Sequence, residues 1–330
     1  MCMAHSTKSS VPDPTEFEII ERYFMPLASA EGLGLKDDAA CFRPPSGQDV
    51  IVTKDMLVAE RHFFADDKPE DIAFKALSVN VSDLAAKGAV PQHYLLGLSL
   101  PKQYAEHGWL EGFARGLGDA QKTYNMTLVG GDTVSVDGPV CISITAFGYV
   151  SEDTMVKRSG ASVGDDIYVS GTLGDAAFGL RAIQAGQGQR ARFLRQYHRP
   201  LARAGLGNRL TSIATAAADV SDGLLADLNH ICSASSVGAR LYQAKIPLSD
   251  DAKNELAKDT SLWPLILSGG DDYEIVFTAR SKCTDAVAKL SQELGLQLTK
   301  IGVVTPGPGL ELVDCTDKLV QVAATGFKHF

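Results

Sequence analysis

Six short acidic segments, each beside an apolar run, place the strongest constraint on how this chain can fold. They are LKDDAA (35–40), TKDML (53–57), NVSDLAAKG (80–88), GGDT (130–133), DVSDGLLAD (219–227) and GGDDYE (269–274). In each of them we predict an aspartate where a strand ends or a helix begins. The fold therefore has to bury the apolar runs while it keeps these acidic ends at the termini of its elements.

Each aspartate by itself fits a structural role, because Asp is a preferred helix N-cap and turn residue. Asp222, before GLLADL, could cap a helix, and Gly131-Asp132-Thr133 could be a plain turn. Taken together, the aspartates also fit a magnesium site for a nucleotide, since Mg²⁺ prefers oxygen ligands and is usually held by a few carboxylates and substrate phosphates. The spacing alone leaves both interpretations open.

Apolar periodicity divides the chain into two halves that each contain strands and helices. In the first half we predict strands over 49–58, 93–100 and 140–150, helices over 71–89 and 109–124, and a strand followed by a turn over 126–134. Thr15 is a candidate N-cap for a further helix that begins just after it, ahead of these elements. The glycine-rich segment 157–167 is a credible junction between the halves.

The length of 330 residues suits two domains. We predict a flexible tail over residues 1–14, an N-terminal domain over 15–150 and a C-terminal domain over 151–330. In the second domain, the basic stretch 190–199 is predicted to be exposed surface rather than part of a site.

Charge and composition argue against several classes of protein. The net charge of −9 argues against a nucleic-acid surface, which would be basic. No apolar run reaches the roughly 18 residues that a membrane helix needs, and the first residues lack the apolar core of a signal peptide. The six cysteines are scattered, as in a reduced compartment. We therefore predict a cytoplasmic protein that binds neither nucleic acid nor membrane.

The familiar motifs for phosphate binding and for nucleophilic catalysis are absent from the sequence. There is no GxxxxGK[ST], no GxGxxG that opens a helix after a strand, and no GxSxG. A bound nucleotide would thus have its phosphates neutralised by metal ions and backbone turns. His62 is the most notable of the seven histidines, although a lone His among apolar residues is usually a packing residue.

In their order along the chain, the motifs resemble those of the thiamine-monophosphate kinase family. The matching segments run from about residue 17 to 330: KDDAA, VTKDMLVAERHF, KALSVNVSDLAAKGAVP, GGDTV, KRSGASVGD, VSGTLGDAAFGL, ADVSDGLLADLNHI, SGGDDYEIVFT and GFKHF. The resemblance implies a two-domain α+β fold. Its N-terminal mixed sheet would form a homodimer interface, and its C-terminal domain would be a sandwich-like α+β unit.

The same resemblance implies ATP-dependent phosphorylation of thiamine monophosphate to thiamine diphosphate, with several Mg²⁺ ions. By their place in the motifs, the implied metal ligands are Asp37, Thr53, Lys54, Asp55, Asp83, Asp132, Asp219 and Asp222. The implied ATP contacts are Gly131, Asp132, Arg158 and Ser221. The implied substrate contacts are His62, Asp271 and Phe327.

The chemistry of the implied acceptor agrees with the absence of an obvious base. A phosphate monoester has a second pKa of about 6, so it is mostly a dianion at neutral pH and needs no deprotonation. We therefore predict direct in-line transfer without a phosphoenzyme. Within the segment 268–277, we expect Asp271 to face the cationic thiazolium of the substrate and Asp272 to stabilise the turn.

Three positions depart from the usual motifs of the family. Lys36 stands where Gly is usual, Lys54 where a hydroxyl residue is usual, and Val134 where Thr is usual. An ammonium group only donates hydrogen bonds, so the side chain of Lys54 cannot act as an oxygen ligand, whereas a backbone carbonyl there still could. The two lysines could also supply positive charge that a metal supplies elsewhere.

Two alternatives remain at this level. One is another ATP-dependent enzyme of the same superfamily, such as a selenophosphate synthetase or the aminoimidazole ribonucleotide synthetase. A selenophosphate synthetase would be expected to carry a reactive Cys in a glycine-rich N-terminal segment, and Cys2 lacks that context. The other is a non-catalytic metal- or nucleotide-binding protein, in which Lys36 and Lys54 would mark a degraded metal site.

Overall fold

Two β-sheets, with helices packed between and around them, form the α+β fold in a computed structural model that describes residues 15–105, 107–186 and 191–320. The predicted α+β class and two-domain organisation are confirmed. The tail predicted for residues 1–14 lies outside the described residues. The bounds 15–150 and 151–330 stay a prediction.

Among the described residues, the first half contains four strands and three α-helices. In chain order they are α1 (Glu16–Ile19), β1 (Gln48–Val58), α2 (Pro69–Ala86), β2 (Val90–Leu100), α3 (His107–Tyr124), β3 (Thr127–Ser135) and β4 (Cys141–Ser151). A π-helical turn, Ile20–Phe24, continues α1. Thr15 caps α1 as expected, because its side chain and that of Glu18 accept each other's backbone N–H in a capping box.

The second half contains six strands and seven α-helices among the described residues. They are β5 (Asp166–Ser170), α4 (Asp175–Gln184), α5 (Ala191–His198), α6 (Ala204–Leu210), β6 (Ala214–Asp219), α7 (Leu224–Ser235), β7 (Gly238–Tyr242), α8 (Asp250–Lys258), α9 (Trp263–Ser268), β8 (Ile275–Ala279), α10 (Thr284–Leu294), β9 (Leu298–Thr305) and β10 (Gly309–Val313). Short 3₁₀ turns lie at Met25–Leu27, Ala30–Leu35, Lys102–Tyr104, Gln243–Lys245, Thr260–Leu262 and Ser281–Cys283.

The first sheet has four strands in the order β1-β4-β2-β3. It is mixed, since β4 runs antiparallel to both β1 and β2, whereas β2 and β3 are parallel. The second sheet has six strands in the order β10-β7-β9-β5-β8-β6, and only its β10–β7 pair is parallel.

The four-stranded sheet buries one face and leaves the other open in this chain. On its inner face, Ile142 and Ile144 of β4 are buried against Leu77 and Leu84 of α2 and Phe113 of α3. The outer face carries exposed apolar side chains: Val50, Val52 and Met56 of β1, Val90 of β2 and Val134 of β3. This alternation is the period of two that a half-buried strand requires.

Helix α2 joins the two halves. It contacts β1, β2 and β4 of the first sheet, β6 and β8 of the second, and helices α3, α5 and α6. Most of its residues are buried, including polar Lys75, Ser78 and Asn80, which explains why its sequence is apolar on nearly every side. Residues on α2 can therefore reach side chains of both domains. Among the described residues, no helix is long and apolar enough to span a membrane.

The expectation that each acidic segment places an aspartate at an element terminus is wrong for three of the segments. Asp55 lies inside β1, because β1 continues to pair with β4 as far as Val58. Asp83 lies within α2. Asp132 lies inside β3, so the predicted turn after 126–130 is a continued strand. Asp219, the last residue of β6, is at a terminus as expected.

We predict that Gly207→Ala lowers the free energy of unfolding by about 1–3 kcal/mol, because overpacking a close contact costs that much. A Cβ at Gly207 would lie 2.7 Å from the Cα atom of Ala85, at the contact between α6 and α2. Gly205→Ala on the same helix is the matched control, since a Cβ there meets nothing within 4 Å. Denaturant unfolding of both variants checks this, and equal stabilities would contradict the tight α2–α6 contact.

Candidate active site

Two clefts lie on opposite sides of β1, an edge strand of the four-stranded sheet. The inner cleft encloses about 700 Å³ between the two halves. Its polar lining includes Asp55, His62, Lys75, Asp83, Tyr197, Asp219, Ser221, Asp222, Asp271 and Tyr273. The outer cleft encloses about 590 Å³ on the open face of the sheet, and its lining includes Asp37, Asp38, Gly131, Asp132 and Ser143. Lys54 borders both clefts.

Three predicted metal ligands from three different elements meet in the inner cleft: Asp55 of β1, Asp83 of α2 and Asp219 of β6. Asp83 accepts a hydrogen bond of 2.5 Å from the hydroxyl of Thr53, a fourth predicted ligand. The backbone N–H of Asp55 donates to Asn80 Oδ1 at 3.2 Å. Contacts from one turn of α2 therefore hold both strand residues in place.

These carboxylates repel one another in a partly dehydrated place. Burial, and then repulsion from Asp83, raises the pKa of Asp55 to about 7. Burial, and then repulsion from Asp83 and Asp227, raises the pKa of Asp219 well above its usual range. At neutral pH the cluster therefore binds protons that ordinary aspartates would have released.

The donor chemistry of the inner cleft fits a hard divalent cation. Asp219 is only 4% exposed, and no ion pair among the described residues includes it, Asp55 or Asp83. Within the described ranges, no group of three or more His, Cys, Asp or Glu side chains is arranged to hold a metal ion by itself. A bound Mg²⁺ would therefore complete its shell with water and phosphate oxygens, as Mg²⁺ usually does.

The segment after β6 is organised by Asp227, a residue to which the sequence assigned no role. Its Oδ2 accepts the backbone N–H groups of Ser221 and Asp222, each at 3.0 Å. Burial, and then repulsion from Asp222, raises the pKa of Asp227 to about 7. Gly223, with φ +108°, takes the N-cap position of α7, so Asp222 is not the helix cap and its carboxylate lies in the cleft lining. In the sequence, the spacing of the aspartates within segment 219–227 is the signal that could have indicated this role of Asp227.

The adjacent aspartates at 271 and 272 point to different sides, as expected. Asp272 is 1% exposed, and both its carboxylate oxygens accept the backbone N–H of Gly174, at 2.9 and 3.0 Å. Asp271 lines the inner cleft, with its oxygens 2.7 Å from Lys75 Nζ and 3.0 Å from the Tyr273 hydroxyl. The charge of Asp271 is already paired with that of Lys75, and the expectation that Asp271 faces the thiazolium of the substrate stays a prediction.

The outer cleft holds three further predicted nucleotide and metal residues, Asp37, Gly131 and Asp132. Asp37 accepts the backbone N–H of Asp38 at 2.8 Å, and Gly131 and Asp132 lie on β3. A Cβ at Gly131 would lie 2.0 Å from the carbonyl oxygen of Leu96 on β2, so strand packing alone demands glycine there. Within one chain, these residues are separated from Asp55, Asp83 and Asp219 by the sheet.

Lys54 points to the outer face, since residues alternate along β1 and its neighbour Asp55 points inward. Its ammonium group donates to the hydroxyl of Ser143 on β4, so the side chain is a cation of the outer cleft and cannot be an oxygen ligand. The charge of Lys54 still opposes the rise in the pKa of Asp55.

The remaining predicted residues are His62, Arg158, Phe327 and the basic stretch 190–199. His62 lines the inner cleft, and its Nδ1 accepts the backbone N–H of Val58 at 3.0 Å, which leaves the ring proton on Nε2. Arg158 is exposed, and its charge opposes the rise in the pKa of Asp227. Phe327 lies outside the described residues. The basic stretch 190–199 is not only surface, because Tyr197 is buried and lines the inner cleft.

Comparisons with known proteins agree on one family. Residues 36–150 match the family described as AIR synthase related protein, N-terminal domain, and residues 162–315 match its C-terminal domain. The chain is 40% identical over 299 residues to the thiamine-monophosphate kinase of Escherichia coli strain K12, a match that covers 88% of this chain and 90% of that protein.

Two solved structures are similar in both sequence and fold. The thiamine-monophosphate kinase of Stenotrophomonas maltophilia K279a is 41% identical, with a TM-score of 0.79, and the match covers 84% of this chain and 89% of that one. The structure described as AaThiL complexed with AMPPCP and TMP is 32% identical, with a TM-score of 0.77, and covers 96% of this chain and 97% of that one.

We predict that Asp55→Asn stabilises the metal-free protein at pH 8 by about 1 kcal/mol, or roughly 2–4 °C in melting temperature, and much less at pH 5. A carboxyl whose folded pKa is raised binds a proton more tightly in the folded than in the unfolded state. Its stabilising contribution is present at low pH and is lost as pH rises from its unfolded pKa through about 7.

Thermal unfolding with a chelator, at pH values from 5 to 8, measures this difference between the variant and the wild type. The comparison cancels the pH dependence of stability that both proteins share through other titrating groups, such as His93 and Lys87. Added Mg²⁺ should stabilise the wild type more at pH 8 than at pH 6, because protons compete for the same oxygens. A variant that is less stable than the wild type at pH 8 without metal would contradict the repulsion described above.

Proposed function

The chain belongs to the thiamine-monophosphate kinase family, and we propose that its inner cleft is where a phosphoryl group passes from ATP directly to thiamine monophosphate. The reaction of the family converts ATP and thiamine monophosphate to ADP and thiamine diphosphate. The observation that carries the proposed site is the convergence of Asp55, Asp83 and Asp219 beside His62 and Asp271 in one cleft.

We propose that the lining of the cleft has an acidic end and a substrate end. The acidic end is formed by the three repelling carboxylates together with Ser221 and Asp222, which Asp227 holds through their backbone N–H groups. The substrate end is formed by His62, Asp271 and the aromatic rings of Tyr197 and Tyr273. We propose that the phosphates meet at the acidic end, and that the thiamine part lies at the substrate end.

This division suits a reaction whose main difficulty is repulsion between two anions. The acceptor phosphate is mostly a dianion near pH 7, because its second pKa is about 6. When bound, Mg²⁺ lowers the repulsion between the phosphates and stabilises the charge of the transition state. The oxygens of Asp55, Asp83, Asp219 and Asp222 would hold these ions, and no side chain of the cleft has to act as a nucleophile or a base.

We further propose that the protein is a homodimer through the outer face of the four-stranded sheet. Val52 and Met56 are 55% and 52% exposed there, on either side of Lys54, and one chain leaves them uncovered. Exposed apolar side chains of this kind commonly mark protein interfaces, and a sheet can pack its face against that of a symmetric copy. The outer cleft, with its predicted nucleotide and metal residues Asp37, Gly131 and Asp132, would then lie between the two copies.

The cytoplasmic location expected from composition stays a prediction.

We predict ADP release from ATP and Mg²⁺ only when thiamine monophosphate is present. Asp83→Asn and Asp132→Asn should each lower turnover by about 10²-fold, comparable to the loss of a key electrostatic contact. Asp153→Asn, in the exposed turn after β4, is the matched control and should retain the wild-type rate. Turnover by the wild type that does not depend on thiamine monophosphate would contradict the kinase assignment, and near-normal rates in folded Asp83→Asn would contradict the proposed metal ligands.

We predict that light scattering gives twice the mass of the 35.1 kDa chain for the wild type and for Val163→Glu, but the mass of one chain for Val52→Glu. A buried carboxylate in an apolar interface is strongly unfavourable, and Val163 is equally exposed, at 57%, but lies in the segment between β4 and β5. A Val52→Glu protein that stays dimeric would place the interface elsewhere.

A further inference from the structure

We propose that Lys75 is a positioning residue for the substrate end of the inner cleft, where it fixes Asp271 and the loop that carries His62. This inference rests on the proposed function of that cleft. Neither the motifs nor the mechanism assigned Lys75 a role. It lies on α2 with its side chain only 3% exposed, which is unusual for a lysine because a buried ammonium group is unfavourable unless it is paired.

Three groups of the protein surround the ammonium nitrogen of Lys75. It donates to Asp271 Oδ2 at 2.7 Å and to the carbonyl oxygen of His62 at 3.2 Å. It also lies 4.1 Å from the ring centre of Tyr197, within the range of a cation–π contact. A lysine has three N–H donors and no acceptor. Two donors are thus used by oxygens of the protein and the ammonium group lies over the Tyr197 ring, so Lys75 acts on the substrate through other residues.

The groups that Lys75 holds come from separate parts of the chain. His62 follows β1 in the first half, whereas Asp271 follows α9 in the second, and Tyr197 lies on α5. The ammonium group of Lys75 thus joins the two sides of the cleft at the place where the substrate residues lie. Loss of this group would remove a contact from both sides of the cleft at once.

The backbone at Asp271 needs such support. Asp271 has φ +61° and Tyr273 has φ +50°, a conformation that non-glycine residues adopt only where the surroundings enforce it. The N–H of Asp271 donates to Ser221 O at 2.8 Å, and the N–H of Tyr273 donates to Val220 O at 2.9 Å. With Lys75 on one carboxylate oxygen and the Tyr273 hydroxyl on the other, the plane of the Asp271 carboxylate is also fixed.

The arrangement also defines what Asp271 can offer a substrate. Its charge is balanced by Lys75, while its side chain remains 33% exposed to the cleft. A carboxylate has about four acceptor sites, so two sites remain after the bonds from Lys75 and Tyr273. Asp271 would therefore recognise an N–H or O–H donor of the substrate by direction, rather than attract a cation by net charge.

Kinetics of Lys75→Met and Lys75→Arg test this role. Lys75→Met should raise the KM for thiamine monophosphate by about 10- to 100-fold, the effect of losing a charged hydrogen bond, with a change of less than about threefold in the KM for ATP. Lys75→Arg should recover part of this loss, because it keeps the charge but presents a planar fork instead of three divergent donors.

Arg203→Met is the matched control for a merely structural role. Arg203 Nε donates to Glu274 Oε2 at 2.7 Å, in another ion pair with a buried acid, three residues after Asp271. Neither Arg203 nor Glu274 lines the inner cleft as the structure describes it. Arg203→Met should lower the melting temperature at least as much as Lys75→Met, yet leave the KM for thiamine monophosphate within about threefold of the wild type.

The proposal is overturned if Lys75→Met changes only stability, or if it raises both KM values equally. Should Lys75→Met not fold, Lys75→Arg alone decides, since an unchanged KM for thiamine monophosphate in the folded variant also overturns it. Calorimetric binding of thiamine monophosphate, in the presence of a non-hydrolysable ATP analogue, separates this test from that of the kinase. A wild type that binds but has no turnover would contradict the proposed function, while the ratio of Kd values would still test Lys75.

Discussion

Repulsion among three neighbouring carboxylates is the constraint on which the rest of the structure depends, and no ion pair among the described residues neutralises it. Asp55, Asp83 and Asp219 reach the same cleft from a strand, a helix and a second strand, and burial and mutual repulsion raise the pKa values of Asp55 and Asp219. Such a cluster opposes folding unless protons or cations occupy it. A destabilising cluster at the junction of two well-packed halves is typical of a functional site, where activity needs an arrangement that lowers stability.

Helix α2 maintains this repulsion, because it holds Asp83 in the same cleft as Asp55 and Asp219. Its apolar residues pack against both halves and so fix the positions of its polar residues, of which Lys75 is buried and Asp83 is half-buried at the cleft. Asp83 and Lys75 are eight residues apart on this helix, or about 12 Å along its axis. The helix thus sets the separation between the acidic end and the substrate end of the cleft, and a rigid spacer of this kind would hold the thiamine part of the substrate while its phosphate lies at the acidic end.

Much of this could be predicted from local sequence, and the exceptions have physical causes. Periodicity predicted β1, α2, β2, α3 and β4 to within a few residues, because each has a clear apolar face. It failed at Gly131 and Asp132, where close contact with β2, not a turn, explains the glycine. It also missed Lys75, since the bond to Asp271 joins residues 196 positions apart, and no local pattern reports such a contact.

The most direct test of the account is the number of protons released when Mg²⁺ and a non-hydrolysable ATP analogue bind. Calorimetry at pH 6.5, in buffers of different ionisation enthalpy, measures this number. If the aspartate cluster binds the metal, protons held by the raised carboxylates must leave, so the account predicts net release that fades by pH 9 and is smaller in Asp55→Asn. Binding with no proton release at pH 6.5 would contradict it.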